Sequence, residues 1–131
     1  MRRVFAQIIS AVLPVLVLLV FASSRGQAQA RPSMELLETT PSRTQTSLEI
    51  VGKVKNISGR EVSGVTVICD FQDANGNSIK REQGHLATDP LGANQISEFK
   101  VSTPDNAAIQ RFNVTFAEMF GGPLATKDSR Q

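Results

Sequence analysis

From Val65 to Phe71 every second residue is apolar: Val65, Val67, Cys69 and Phe71. Thr66, Asp70 and Gln72 fall between and beyond them, with Ile68 the one apolar exception. A period of two is the signature of a strand with one face in a core and the other in water. The pair Asn75-Gly76 follows at once. Both residues tolerate the positive φ that a tight hairpin needs. A central strand over Glu61–Asp73, a turn, and a second strand over Ser78–Leu86 are therefore expected, and the rest of the chain has to supply the partners.

The same alternation recurs on both sides. Leu48, Ile50, Gly52 and Val54 share one face of a strand, with Glu49, Lys53 and Lys55 opposite and Val51 as the exception. Gly52 in the inward row points to a bulge or to close approach of another group. Asn56-Ile57-Ser58-Gly59-Arg60 is a turn by composition. Met34–Thr39, between two prolines, reads as an edge strand. Ser78–Leu86 is rich in Lys, Arg and Glu, as an exposed edge requires. Asp89–Asn94 is a loop, Phe99 and Val101 lie in phase in the next strand, and Thr103–Asn106 is a turn. Phe112, Val114 and Phe116 share a face of the closing strand. Gly64 marks a bulge near the start of the central strand. Six or seven short strands at this spacing predict an all-β, antiparallel, immunoglobulin-like β-sandwich.

Where the chain resides is written at its start. Met1-Arg2-Arg3, the 15-residue apolar run Ile8–Ala22 and Ala28-Gln29-Ala30 compose a secretory signal peptide. The run is short of the ~20 residues of a spanning helix and Pro14 interrupts it, so cleavage after Ala30 is expected rather than retention as a tether. The expected organisation is residues 1–30 signal peptide, 31–45 linker and edge strand, 46–120 β-sandwich, and 121–131 disordered tail. The location is periplasmic or secreted, with an uncleaved membrane-tethered form as the alternative, and no stable membrane span after cleavage.

Three of the 14 basic residues lie before the cleavage point and none of the 12 acids do, so the remaining 101 residues carry 11 basic against 12 acidic side chains. That surface does not suit a polyphosphate, and nucleic acid is excluded as a partner. An internal disulfide is excluded as well, because Cys69 is the one cysteine. Its phase is that of a small buried hydrophobe. The alternatives for it are an intermolecular disulfide or a reactive thiol.

Catalytic chemistry finds little to use. His85 is the one histidine, and a Cys69–His85 couple is the sharpest enzymatic arrangement available, but it needs an accessible thiol. Asp73, Asn75 and Asn77 imitate the start of a calcium loop, yet Gly76 is misplaced and Gly84 stands where the bidentate Glu belongs. A turn explains the same residues. Met34, Cys69, His85 and Met119 are scattered singly. The chain is expected to have no catalytic, cofactor or metal residues and to be no enzyme. Asn56-Ile57-Ser58 and Asn113-Val114-Thr115 match the glycosylation sequon, read as incidental.

Gly52-Lys53-Val54-Lys55-Asn56-Ile57-Ser58, the strand Val62–Phe71, Asp73-Ala74-Asn75-Gly76, and later Phe99 and Val101 together resemble the FxLYD-type domains of exported bacterial proteins. The resemblance spans about Leu48–Phe116. Cys69-Asp70-Phe71-Gln72-Asp73 stands where the family's name-giving motif falls, and only the final Asp matches literally. The resemblance implies a small immunoglobulin-like sandwich and no known reaction. The expected function is non-enzymatic contact with another envelope or secreted protein, through the charged Ile79–Leu86 strand or the Met34–Thr39 edge. A small-ligand or metal-binding accessory protein of an envelope enzyme or transport system is the alternative. The identity of the partner and the oligomeric state are not legible.

Overall fold

The computed structural model describes residues 31–130, so the expected signal peptide, residues 1–30, lies outside the described residues. Eight strands make up these residues: β1 (Met34–Arg43), β2 (Ser47–Asn56), β3 (Val65–Gln72), β4 (Ser78–Leu86), β5 (Ile96–Pro104), β6 (Arg111–Glu118), β7 (Gly122–Leu124) and β8 (Thr126–Asp128). They form one sheet in the order β7-β6-β3-β4-β5-β2-β1-β8. The sheet curls into a nearly closed barrel. Its two outermost strands, β7 and β8, are consecutive and separated by Ala125 alone.

All-β is what the alternation called for. Val65, Val67, Cys69 and Phe71 are buried, as are Leu48, Ile50 and Val54 from β2, Phe99 and Val101 from β5, and Val114 and Phe116 from β6. Phe99 meets Phe116 edge to face, with ring centroids 5.7 Å apart and planes at 84°. Such a pair adds about 0.5–1.5 kcal/mol beyond its area burial.

Three expectations need correction. The sheet is mixed, because β1 pairs with β8 in parallel while every other pairing is antiparallel. The strand count is eight rather than six or seven. The segment 121–131 is not a frayed tail over its length. Leu124 is buried, the Ala125 carbonyl accepts from the amides of Ser33 (2.8 Å) and Met34 (3.1 Å), and the Ser129 amide donates to the Leu36 carbonyl at 2.9 Å. The sheet needs this segment, since its strands cap two edges that would otherwise be open.

The central strand is also shorter than Glu61–Asp73. Gly64 has φ +62, which breaks the extended run, so β3 starts at Val65. Val62 makes an isolated bridge to Leu91 instead, and both are fully buried. The bulge near Gly52 lies on the neighbouring strand. Leu36 pairs with Val54 and Glu38 with Lys53, leaving Leu37 extra. Gly52 itself lies under the Phe99 ring, where a Cβ would come within 2.4 Å of Cζ.

Candidate functional site

β4 has an unequal pair of neighbours. Along β3 it is paired from Ser78 to His85, whereas β5 reaches it at His85–Lys100 and Leu86–Phe99 alone. Ser78–Gln83 on one side and Val101–Pro104 on the other therefore have no strand between them. β5 leaves β4 here to follow β2, with which it pairs from Ile96 to Pro104. The junction is made at Gly84, where a Cβ would stand 2.4 Å from the Lys100 carbonyl oxygen. Only a residue without a side chain lets the two backbones come so near.

The split opens into a cleft of about 300 Å³ lined by Ile79, Lys80, Thr103, Pro104, Asn106 and Ile109. Thr103 and Ile109 form its buried floor and Ile79 is exposed at the rim. In β4, Glu82, Gly84 and Leu86 lie in the inward register opposite Cys69, Val67 and the core, and Lys80 faces Phe71. Inward positions that carry Lys80 and Glu82 overhang the mouth of the core, and such charges keep an open edge from fusing with another sheet at random. Arg81 lies on the outer face opposite Asp70. The Asp70 carboxyl is held below its ordinary value by a hydrogen bond from the Ser78 hydroxyl, then by one from the Gln72 amide at 3.1 Å, with Arg81 nearby.

The other expected edge is not equally open. Met34–Leu36 pairs with Thr126–Asp128, so the first half of the Met34–Thr39 surface is covered by β8. This edge is corrected accordingly. The later half of β1 borders a second cleft of about 270 Å³, lined by Pro41, Arg43, Leu48, Ile50, Ile109 and Phe112. Arg43 is committed to Asp105 and to the Ile109 carbonyl (2.8 Å), and Arg130 lies 5.7 Å over the Phe112 ring while pairing with Asp128.

The chemistry-bearing residues are held apart. Cys69 is fully buried, and desolvation followed by the charge of Asp70 pushes its thiol up to about 12, against a smaller lowering from Arg130. His85 pairs with Thr66, not with Cys69, and is exposed. The two lie three ladder positions apart, roughly 10 Å along the strands, and on opposite faces of the sheet. Asp73, Asn75 and Asn77 close their turn on themselves: the Asp73 carboxylate accepts from the amides of Asn75 and Asn77, both at 2.9 Å. Those bonds hold the Asp73 carboxyl below its ordinary value. Met34 is buried in β1 and Met119 exposed beyond β6. Among the described residues no group of three His, Cys, Asp or Glu side chains is placed to hold a metal.

Asn56 is buried and fully hydrogen-bonded, so the first sequon has no accessible acceptor. Two features escaped sequence reading: the β4–β5 split and the buried role of Leu91. A charged strand that loses its alternation halfway is the signal for the split, since Lys80 and Glu82 occupy inward positions that a fully paired strand fills with apolar side chains.

No protein-family model and no curated protein matches this chain. Among solved structures the fold is similar to that of IrmA from Escherichia coli, with a TM-score of 0.57 and 8% identity over 75% of this chain and 92% of that one. At that identity the likeness concerns the fold alone.

Proposed function

We propose that this chain is an exported, non-enzymatic domain of the FxLYD, immunoglobulin-like type that binds another envelope or secreted protein by accepting one of its strands along β4. The carrying observation is the asymmetry of β4, which β3 pairs over its length and β5 abandons after His85. A bare strand edge offers main-chain donors and acceptors in register, and the cleft beside it takes alternate side chains of an added strand. The sandwich reading is supported by the same split. It divides the sheet into β7-β6-β3-β4 and β5-β2-β1-β8, and the Phe99–Phe116 contact ties a strand of one half to a strand of the other.

Consecutive residues of a strand turn their N–H groups to opposite sides, so one of Lys80 and Arg81 donates toward β3 and the other toward the split. Lys80→Pro and Arg81→Pro, made separately, distinguish ladder from ligand. The expected result is one variant that keeps its thermal midpoint and loses its partner in envelope cross-linking, and one that is destabilised. Partner capture unchanged in the folded proline variant overturns strand addition at β4.

A further inference from the structure

β7 and β8 join β6 to β1 over only part of the barrel wall. β6 pairs with β7 from Phe116 to Glu118, and β1 pairs with β8 from Met34 to Leu36. Among the described residues no strand pairs on that side with residues 111–115 of β6 or 38–43 of β1. Phe112 shows the consequence. It lies opposite Phe71 in the inward register, yet it is only partly buried while Phe71 is fully so.

A side chain bridges this gap. Just past β8 the Ser129 amide donates to the Leu36 carbonyl at 2.9 Å, and Arg130 then reaches across the wall. Its guanidinium donates to Thr39 Oγ1 of β1 at 3.2 Å and lies 5.7 Å over the Phe112 ring of β6. Asp128 fixes that pose, accepting from Nε at 2.9 Å and from the terminal nitrogen Nη2 at 2.7 Å. A planar guanidinium can grip a carboxylate and cover a ring at once. The Arg130 charge also reaches Cys69, where it opposes the rise of the thiol's pKa.

The segment that carries Arg130 is lightly held. Leu124 is buried, but none of residues 125–130 is. Beyond its main-chain bonds to β1, the segment has the Ser129 hydroxyl on Glu35 at 2.7 Å and an exposed Lys127–Glu35 pair at 3.9 Å. A stretch with few buried apolar contacts opens at lower cost than the strands behind it. We infer that residues 126–130 are a strap, hinged at Ala125, that opens on its own while the rest of the sheet stays folded, and that Arg130 sets how often the wall between β1 and β6 is breached. An open strap bares the main chain of Met34 and Leu36, so it is an autoinhibitory cover on the β1 edge. This device is separate from the bare edge of β4.

The test compares the unaltered full chain with Arg130→Ala by native-state amide exchange and by thiol labelling at pH 8. The Met34 amide, which donates to the Ala125 carbonyl, is expected to exchange about tenfold faster in the variant, and Cys69 to label about tenfold faster. Val67 and Val101, on strands in the middle of the sheet, should keep their exchange rates. Arg130→Lys, which keeps the charge without the flat fork, is expected to fall between the two. Equal quickening at Val67 and Val101 overturns the inference, because Arg130 then adds only to global stability. So does an unchanged Met34 rate. Faster exchange at Met34 with Cys69 labelling unchanged also overturns it, since the wall would then stay closed without the strap.

Discussion

The side-chain amide of Asn56, at the end of β2, donates to the main-chain carbonyl of Leu91 at 3.0 Å, across 35 residues of sequence. The same nitrogen lies 2.7 Å from the Arg60 carbonyl and 3.1 Å from that of Gly92, while the side-chain oxygen accepts from the Ser58 amide and hydroxyl. The Asn56 main chain is used too, through Gln95 and Asn94. One buried side chain thereby locks the β2–β3 turn to the β4–β5 loop and holds the Val62–Leu91 bridge in place. Asn56→Ala deletes these side-chain hydrogen bonds at a fully buried position, each worth about 0.5–1.5 kcal/mol net. The Leu91, Gly92 and Arg60 carbonyls keep the Val62 amide, the Gln95 amide and the Ser58 hydroxyl as donors. A loss of about 3 kcal/mol is expected, which lowers the thermal midpoint of a domain this size by roughly 10–20 °C. Urea unfolding followed by far-ultraviolet dichroism checks it, and a change within 0.5 kcal/mol, on the order of an inert surface substitution, contradicts this role.

Gly84 is the hinge of the β4–β5 split. Its Cβ would meet the Lys100 carbonyl oxygen at 2.4 Å and Val101 Cγ2 at 3.0 Å. Backbone cannot yield as the end of a long side chain does. Gly84→Ala is expected to cost about 1–3 kcal/mol, the range for overpacking. It should also detach β5 from β4, so that amide exchange quickens at His85 and Ala87, whose N–H groups face β5, more than in β3. Uniform quickening across the sheet would mean that Gly84 stabilises the whole domain and is no local junction.

Cys69 supplies a test of core packing and its pH dependence. Its thiol is pushed up to about 12, and unfolded cysteine titrates near 8.5. A group that binds its proton more tightly when folded contributes stability below its unfolded pKa and loses that contribution as pH rises toward the folded one. Unaltered protein should therefore lose stability relative to Cys69→Val between about pH 8.5 and 12. Thiol labelling at pH 8 should be slow in the native state and fast in denaturant. Cys69→Ser, which puts a hydroxyl among Val67, Phe71 and Val114, is expected to cost about 1–3 kcal/mol. Rapid labelling of the native protein would restore a redox role.

Much of the core was legible because four strands carry a clean alternation. Val65–Phe71, Leu48–Val54, Phe99–Val101 and Phe112–Phe116 each declare an inner face, and that information is local. The pieces that were missed depend on contacts distant in sequence. Gly122-Pro123-Leu124 looks like the end of order in isolation, and becomes strand only because β6 and β1 offer edges on either side of Ala125. Leu91 sits in a loop of Asp, Pro, Gly and Asn and is buried because Val62 and Asn56 draw it in. The candidate site was half legible. The charges of Ile79–Leu86 marked an exposed strand, but Lys80 and Glu82 are recognised as inward, and Gly84 as the junction, only once the register of β4 with β3 and β5 is known.

The reading of residues 1–30 as a signal peptide predicts an exported chain beginning at Arg31. Sequencing the amino terminus of the exported protein, with its intact mass, checks this, and Arg31-Pro32-Ser33 is expected. A chain that retains Met1 and floats with the membrane fraction would instead mean that the apolar run stays as a tether.

Acid should loosen the tip of the β6–β7 hairpin before it unfolds the sheet. The Glu118 carboxyl lies below its ordinary value of 4.5 chiefly because Arg60 donates to it; burial opposes this, and the Ser63 amide and the Arg60 charge add smaller lowering effects. A carboxyl depressed in the folded state contributes stability above its unfolded pKa, and the contribution fades as pH falls through the folded value. The window therefore opens below pH 4.5. The pair is at the surface, so the effect on global stability is small. The local readout is sharper. As Glu118 takes up its proton, Arg60 loses its partner and the Met119 amide, bonded to the Gly64 carbonyl, loses the bracing beside it. Proton exchange at Met119, corrected for intrinsic rate, should rise below pH 4.5 in the unaltered chain. In Glu118→Gln it should be high already and flat with pH, because the amide accepts from Arg60 without charge and does not titrate. Equal pH profiles in the two proteins would show that the tip is held by the main chain alone and that the Arg60–Glu118 pair is incidental to it.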